Sequence, residues 1–553
     1  MAATGGCTGG ERLADALREL EVDRAFGLPG VHNLPAWNAL SQQGIRLIGV
    51  RHEQSAAFAA DGYARATGRL GVAVVTTGPG AANTLAAVGE AQASASPVVV
   101  VATDVPSALR RPGVVRGALH EMSDQAAMFA PLTKAALTAE SPDDVARVIR
   151  RAGRLARRPQ SGPVYVGIPA DFLTAEAAAE PLPADPLPAE STEVIHRVDV
   201  ADLLQARELL STARRPVIWA GGGALRAGAG EALGELAETL AAPVITTYAA
   251  RGIVPPDHPC RASNPVHTPE VGALWDEADV VLAVGTDFDG MMTQNWRMPK
   301  PPTLITINVD AGDAAKNYLP DLQLTGDARE VTENLALGMP RRAGLTELSR
   351  RLDDIETRVR RRIRREEPQA AELLTALSET LPDDAVLVSD MCIAGYWIGG
   401  FYRVAAPRKL AYPMGWGTLG FGFPASLGVA AAGGGRAVCV TGDGGFLYGV
   451  GELATAIQEA LPLTVVVVDD SGYGMLRYDQ TRGGLPHEGV DLVTPDFVGL
   501  AKSFGIDADR VDGFGRAFRR RLREFTRSEE PNLLVVAAEL SPPLNTSPRW
   551  YRR

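Results

Sequence analysis

The residues with the strongest claim to chemistry lie late in the chain. They run Thr441-Gly-Asp-Gly-Gly-Phe446, then Glu452-Leu-Ala-Thr-Ala456, then Leu461-Pro462, then the apolar stretch Leu463 to Val468, and end at Asp469-Asp-Ser-Gly-Tyr-Gly474. A strand ending at Thr441 delivers Asp443 to a glycine turn. One helical crossover follows, and the next strand ends at Asp469 and Asp470. A right-handed βαβ unit puts both strand ends on one edge of the sheet, the edge where open α/β sheets bind ligands. Asp443 and Asp470 are therefore expected to share a cation. Gly442, Gly444 and Gly445 would let backbone amides approach an anion. Mg²⁺ takes one or two carboxylates and fills its octahedron with phosphate oxygens and water, so the pattern suits a magnesium diphosphate. On its own it also fits a plain βαβ unit with an acidic loop.

Two other regions carry unusual residue sets. The first holds Phe26-Gly-Leu-Pro-Gly-Val-His-Asn-Leu-Pro35, Val50-Arg-His-Glu53, the small-residue stretch Ala56 to Arg65, and Thr77-Gly-Pro-Gly-Ala-Ala-Asn83. Glu53 stands between an apolar strand, Leu47 to Val50, and a largely apolar helix. Alone it reads as a helix N-terminal carboxylate stabilised by the dipole. The Gly78 to Asn83 loop resembles a helix-opening anion loop, a weak signal by itself. The second region is Met414-Gly-Trp-Gly-Thr-Leu-Gly-Phe-Gly-Phe-Pro-Ala-Ser-Leu-Gly428.

Together these segments resemble the thiamine-diphosphate-dependent enzymes, and the resemblance covers nearly the whole chain. It implies that Asp443 and Asp470 bind Mg²⁺, with a backbone carbonyl from Gly472, and that the diphosphate lies against Gly442, Gly444 and Gly445. It implies that Glu53 hydrogen-bonds the cofactor's pyrimidine. That role needs a carboxyl able to hold a proton, which burial favours. Leu419 would sit under the bend of the cofactor, and Gly417 would offer its carbonyl to the amino group, a proximity effect. The Asp469-Asp470 pair departs from the family's Asn pair: it keeps the oxygen ligand and adds negative charge. After Asp390 the run Met391-Cys-Ile-Ala394 lacks the usual polar side chains, leaving the amides near Cys392 and Ile393 for the diphosphate. His32 and His120 are further active-site candidates. Met475 and Leu476 would wall the substrate pocket, and His487 falls in an expected mobile segment.

These residues need sheets to hold them. Short β-rich runs alternate with helical stretches throughout: Gly71 to Thr76 and Pro97 to Ala102 around a helix Ala81 to Ala95; Pro216 to Ala220, Pro243 to Thr246, Val280 to Val284 and Leu304 to Asn308; Ala385 to Ser389, Arg436 to Thr441 and Leu463 to Val468. Such runs are strands buried on both faces, as in parallel sheets. The expected fold is α/β, with three doubly wound parallel-sheet domains over 1–180, 192–335 and 368–553. Two stretches read as linkers: Ala175 to Ser191, and Gly338 to Gln369, the latter a solvated surface helix with the basic run Arg358 to Arg365. The 553 residues carry a net charge of −11, which argues against a nucleic-acid partner. No apolar run is long enough to span a membrane. The first ten residues lack a signal-peptide pattern, so a cytoplasmic enzyme is expected. The four cysteines form no CxxC pair, which disfavours zinc and disulfides.

Among thiamine-diphosphate enzymes the chain is most similar to the acetolactate synthase large subunit, in Asp124 to Lys134, Pro243 to Thr247, Asp257-His-Pro259, Val284 to Asp289 and the Gly417 to Gly422 run. That implies decarboxylation of pyruvate or another 2-oxo acid and attack of the bound enamine on a second carbonyl. It also implies a homodimer or homotetramer whose sites combine the first domain of one subunit with the third of its partner. Asp479 stands where the synthase has a pocket tryptophan, and Thr286-Asp-Phe-Asp-Gly290 lacks its flavin-contacting arginines. Gly221-Gly-Gly-Ala224 fits either an FAD contact or a tight turn. A simple decarboxylase, a specialised carboligase and a flavin-dependent pyruvate-oxidase type remain as alternatives, as does, from another class, a non-catalytic subunit.

Overall fold

A computed structural model describes residues 7–111, 113–177 and 198–543. Apolar inner strands buried on both faces, flanked by partly exposed outer strands, build three six-stranded sheets, each parallel throughout, because the inner strands must be covered by helices on both sides. In the first, the strands are β2 (Arg24–Gly27), β3 (Arg46–Gly49), β4 (Gly71–Val75), β5 (Val98–Asp104), β6 (Ala135–Thr138) and β7 (Val164–Pro169), in spatial order β3-β2-β4-β5-β7-β6. A short antiparallel pair, β1 (Cys7–Thr8) with β8 (Glu176–Ala177), ties the start of this domain to its end. The middle sheet holds β9 (Pro216–Ala220), β10 (Val244–Thr246), β11 (Arg261–Ala262), β12 (Val280–Val284), β13 (Thr303–Asn308) and β14 (Leu322–Thr325), ordered β11-β10-β9-β12-β13-β14. The last holds β15 (Val386–Ser389), β16 (Leu410–Ala411), β17 (Ala437–Gly442), β18 (Leu463–Asp469), β19 (Asp507–Asp512) and β20 (Asn532–Ala537), ordered β16-β15-β17-β18-β20-β19.

The first and last sheets thus share one connectivity. Strand order reverses between β2 and β4 in one and between β15 and β17 in the other. The crevice outside such a reversal is where ligands bind in open α/β sheets. His32 and Thr77 follow β2 and β4; Asp390 and Asp443 follow β15 and β17.

Two sequence expectations change, and a third lies mostly outside the described residues. The helix expected over Ala81 to Ala95 is broken into Pro79–Ala82 and Leu85–Ala93. At the break the Thr84 hydroxyl donates to the Ala81 carbonyl. The stretch Gly338 to Gln369 is more than a solvated linker. Its helix Leu345–Glu366 buries Leu352, Ile355, Val359 and Ile363, a stripe at helical spacing, while Arg358 and Arg360 pair with acids one turn earlier and Arg362 reaches Glu270. The Ala175 to Ser191 linker lies outside the described residues beyond Ala177.

The domains are joined by shared cores. The helix Glu53–Thr67 packs on the helix Gly422–Ala432 of the last domain, at two glycines. A Cβ on Gly62 would lie 2.1 Å from the Ala425 carbonyl oxygen, and one on Gly428 would lie 1.8 Å from that of Ala59. Phe58, Phe421, Phe423 and Phe446 belong to one continuous apolar core across this contact. Trp219 and Trp275 of the middle domain share another with Trp397 and the β20 side chain Leu534.

Candidate functional site

In the last domain, β17 carries Asp443 into a short helix, Asp443–Tyr448, rather than an open glycine turn. Gly444 and Gly445 are helical, and crowding is what requires them. A Cβ at Gly444 would meet the Tyr473 ring at 2.6 Å; one at Gly445 would lie between Asp390, Thr441 and Leu419 at 3.1 to 3.3 Å. Asp443 is 1% exposed. Its carboxylate accepts from the Gly444 amide at 2.7 Å and the Gly472 amide at 3.0 Å. The latter bond draws the β18 loop onto the β17 loop. Burial, with Asp470 adding, pushes the Asp443 carboxyl up to about 7. Burial also pushes Asp470 up to about 6, opposed by Arg477. A buried carboxylate beside a half-buried one favours a cation between them. Oxygen-only donors suit Mg²⁺. Among the described residues no group of three or more His, Cys, Asp or Glu could hold a metal, so the other ligands would be phosphate, water or backbone.

The added charge of the Asp469-Asp470 pair is absorbed locally. Asp469 turns to Arg510 at 2.9 Å and takes the Ser471 amide and the Thr494 hydroxyl. Arg477 folds back on the loop, donating to the Asp470 and Ser471 carbonyls and pairing with Asp491. Its guanidinium fills the space a Cβ on Gly472 would need. Ser471 sits at φ 55°, a conformation uncommon outside glycine.

Leu419 is half-buried and rests on Gly445. Gly417 and Gly420 flank it at φ 73° and 84°. The turn is held by Asp390, a fully buried acid the sequence reading passed over. It accepts from the amides of Met391, Gly420 and Gly422 and from the Thr441 hydroxyl, at 2.7 to 3.2 Å. An acid directly after a Val-rich strand was the available signal, the same one that marks Asp443. Cys392 caps the helix Ile393–Phe401 through its sulfur. It sits against Gly442, and Ile393 reaches Gly474 beside Asp470. The Cys392 amide is taken by the Asp390 carbonyl. Burial, with Asp390 adding, pushes its thiol up to about 12, so it stands there as a small uncharged group.

In the first domain Glu53 is 8% exposed at the start of its helix. It accepts from Asn83 Nδ2 at 2.9 Å, and its other oxygen faces Gly80. His32 and His120 come together with ring centroids 5.5 Å apart. Thr77 Oγ1 donates to Thr103 Oγ1 at 2.9 Å, which leaves it to accept from His32 Nδ1 at 2.8 Å and leaves Nε2 open. Burial and then His120 hold the His32 pKa below its ordinary value. His120 is held at φ 64°, and its Nδ1 is buried without a hydrogen-bond partner, as is Thr76 Oγ1. Backbone strain and orphaned polar atoms at one crevice mark a place built for a ligand. Gln125 fixes the loop beside it, accepting from the Gly78 amide and donating to the Thr103 carbonyl and Tyr165.

Met475 is half-buried on the helix Gly474–Arg482, against the core shared by the middle and last domains. Asp479 is exposed one turn on, on the same face. Leu476 is exposed, and His487 bonds Thr481 at 2.7 Å on the surface. In the middle domain the glycine run is not a tight turn but opens a short helix, Gly222–Arg226, where Cβ atoms at Gly221 and Gly223 would strike Gly285 at 2.3 and 2.8 Å. Asp287 is paired with Lys316.

Residues 7–128, 203–335 and 390–536 match, in order, the N-terminal TPP binding domain, the central domain and the C-terminal TPP binding domain of thiamine pyrophosphate enzymes. The chain belongs to the thiamine pyrophosphate enzymes. Within that family it is 36% identical over 525 residues to a "Probable 2-ketoarginine decarboxylase" of Pseudomonas aeruginosa, covering 92% of each chain. It is 32% identical to a "Probable acetolactate synthase large subunit" of Methanocaldococcus jannaschii, over 96% of this chain and 92% of the relative. It is also 32% identical to the acetolactate synthase isozyme 3 large subunit of Escherichia coli, over 90% and 88%. It is thus a thiamine-pyrophosphate-dependent enzyme of the kind that acts on 2-oxo acids. Among the described residues no helix is long and apolar enough to cross a membrane.

Proposed function

We propose that this enzyme uses thiamine diphosphate and Mg²⁺ to decarboxylate a 2-oxo acid and joins the remaining fragment to a second carbonyl compound, as acetolactate synthases do. The observation that carries the reading is the pair Asp443, buried, and Asp470, half-buried, at adjacent strand ends with raised carboxyl pKa values, beneath a loop that sets Leu419 on Gly445. Asp443 and Asp470 would hold Mg²⁺. Gly442, Gly444, Gly445, Gly472 and the start of the Ile393 helix would receive the diphosphate. Leu419, Gly417 and Glu53 would hold the pyrimidine end. The bound cofactor supplies a nucleophilic carbon and an electron sink for loss of CO₂.

The protein's own groups do the rest. Glu53, kept out of water and oriented by Asn83, holds a proton at the carboxyl that faces the pyrimidine. His32, with Nδ1 committed to Thr77, presents Nε2 to move a proton at the reacting carbonyl. His120, with its ring 5.5 Å from that of His32, would stand beside it at that carbonyl. Met475 walls off water. The first-domain and last-domain halves would meet across two copies of the chain, giving a homodimer or a larger homo-oligomer. Four cysteines without disulfides suit a cytoplasmic setting. Gly221 and Gly223 pack directly on Gly285 at the start of their helix, and FAD has no part in the proposal.

A second reading is favoured by one residue. Asp479 places a carboxylate on the Met475 face, and it helps raise the neighbouring Tyr396 hydroxyl, which burial first pushes up, to about 12. An acid at the pocket mouth suits a longer 2-oxo acid with a cationic end, decarboxylated without ligation. The deciding experiment supplies thiamine diphosphate, Mg²⁺ and either pyruvate or 2-oxo-5-guanidinopentanoate, with products followed by NMR. Acetolactate from pyruvate supports the first reading. Guanidinobutanal from the guanidino acid supports the second. CO₂ release from neither, nor from other 2-oxo acids, would overturn both.

A further inference from the structure

The segments assigned above to the cofactor belong to two domains, and each is held by a buried carboxylate sent from the other. Glu90, on the first-domain helix Leu85–Ala93, is fully buried. One oxygen accepts from Arg65 Nη2 at 3.2 Å and from Ser94 Oγ at 3.0 Å. The other accepts from the Trp416 amide at 3.3 Å, the Thr418 amide at 3.4 Å and the Thr418 hydroxyl at 3.1 Å. These donors flank Gly417 and precede Leu419. Arg65 is already bound by both oxygens of Asp61, at 2.8 and 2.7 Å, so one guanidinium faces two carboxylates. The surplus negative charge is met by the loop donors. The Trp416 ring lies where a Cβ on Gly89 would be, 1.8 Å away, so the loop is seated as well as bonded.

The reverse contact comes from Glu452 of the last domain, 1% exposed. It accepts from the Arg51 amide at 2.9 and 3.1 Å, the His52 amide at 3.1 Å and the Thr455 hydroxyl at 2.6 Å. Arg51 and His52 stand directly before Glu53. A buried carboxylate is tolerable only while its donors stay in place, and charge-assisted bonds are the strong ones. Each acid therefore penalises any drift of the opposite loop.

We propose that Glu90 and Glu452 are reciprocal positioning residues. Glu90 sets where Gly417 and Leu419 stand, and Glu452 sets where Glu53 stands. The proposal rests on the assignment of those three residues to the cofactor. Neither acid touches substrate or cofactor.

The test uses the full-length enzyme with Glu90→Gln, Glu452→Gln and Thr418→Val. In either carboxamide an acceptor becomes a donor facing N–H groups. Three quantities are read: thiamine diphosphate affinity by calorimetry at saturating Mg²⁺, melting temperature of the cofactor-free protein, and kcat against KM. Glu90→Gln is expected to weaken cofactor binding about 10- to 100-fold, the loss of charged hydrogen bonds. Thr418→Val, which spares the acid, should weaken it in the same direction by a smaller factor. Glu452→Gln should lower kcat by about tenfold or more while leaving cofactor affinity and KM within about threefold. If all three variants bind and turn over like wild type and only melt earlier, the acids are merely structural and the proposal is overturned. If Glu90→Gln does not fold, unchanged affinity in Thr418→Val overturns the Glu90 half. A wild-type protein that binds no thiamine diphosphate would instead overturn the site assignment beneath it.

Discussion

Replacing Gly428 with alanine tests the contact that brings the first and last domains together. The added methyl would lie 1.8 Å from the Ala59 carbonyl oxygen, 2.6 Å from its carbon and 2.9 Å from the Tyr63 amide nitrogen. All three are backbone atoms of a buried helix, so no rotamer change relieves the clash. To reach the 3.4 Å at which ordinary contact begins, the two helices must part by about 1.6 Å. The facing surface is mostly small side chains, including Ala56, Ala59, Ala60 and Ala425, all fully buried. None can swell to fill the gap. Overpacking of this kind costs about 1–3 kcal/mol where side chains give way, and backbone against backbone belongs at or above the top of that range. Parting would also break the bonds from Glu90 to the Trp416 and Thr418 amides, already 3.3 and 3.4 Å long. Gly428→Ala should therefore destabilise the protein by about 3 kcal/mol and weaken cofactor binding as well. Gly433→Ala, at the end of the same helix, is the control. It has φ 74° and nothing within 4 Å of the added atom, so it should cost only the roughly 1–2 kcal/mol of a left-handed alanine and leave the cofactor site alone. Thermal unfolding and calorimetric titration of both variants decide the matter. If Gly428→Ala melted no lower than Gly433→Ala and bound thiamine diphosphate normally, the steric reasoning would be refuted.

Glu53→Gln should cut turnover about 10²–10⁴-fold with cofactor affinity nearly unchanged; near-normal turnover would remove Glu53 from its assigned role. Asp470→Asn keeps an oxygen for the metal and removes a charge, so it should weaken Mg²⁺ binding yet leave turnover at saturating Mg²⁺ within about threefold. A titration of activity against Mg²⁺ that stayed more than tenfold low at its plateau would contradict this. His32 has a pKa held below 6.5 by burial and by His120. The unfolded chain then takes up a proton that the folded one resists, and stability attributable to His32 is lost as pH falls through 6.5. Melting curves from pH 8 to 5.5 should fall more steeply for wild type than for His32→Asn, and parallel curves would exclude the effect.

The parallel sheets were legible because Val98 to Ala102 and Val465 to Val468 leave no polar position for a solvent face. Strand ends came within two residues. The placement of Asp443 and Asp470 at the ends of adjacent parallel strands followed from chain topology alone. His32 and His120 were each visible as candidates, but their 5.5 Å approach was not, because it depends on the β2–β4 reversal and on the left-handed turn at His120. Glu90 and Glu452 were invisible as working residues: a single acid in an Ala-rich helix carries no pattern, and the partners of Glu452 are about 400 residues away. The charge of Asp469 read as a burden on the diphosphate because Arg510, which neutralises it, belongs to a strand that the hydrophobic pattern did not reveal.

The continuous cores have a consequence for how this chain can be recombined. Its three domains look like separate modules that could be exchanged among relatives. Yet the first and last are one packed body across the Glu53–Thr67 and Gly422–Ala432 helices, and the middle one shares its tryptophan cluster with the last. A chimera that replaced the first domain alone would have to reproduce the glycine-to-backbone contacts at Gly62 and Gly428, which leave no room for a methyl group. The unit an engineer can exchange is therefore the whole three-domain body, not any one domain of it.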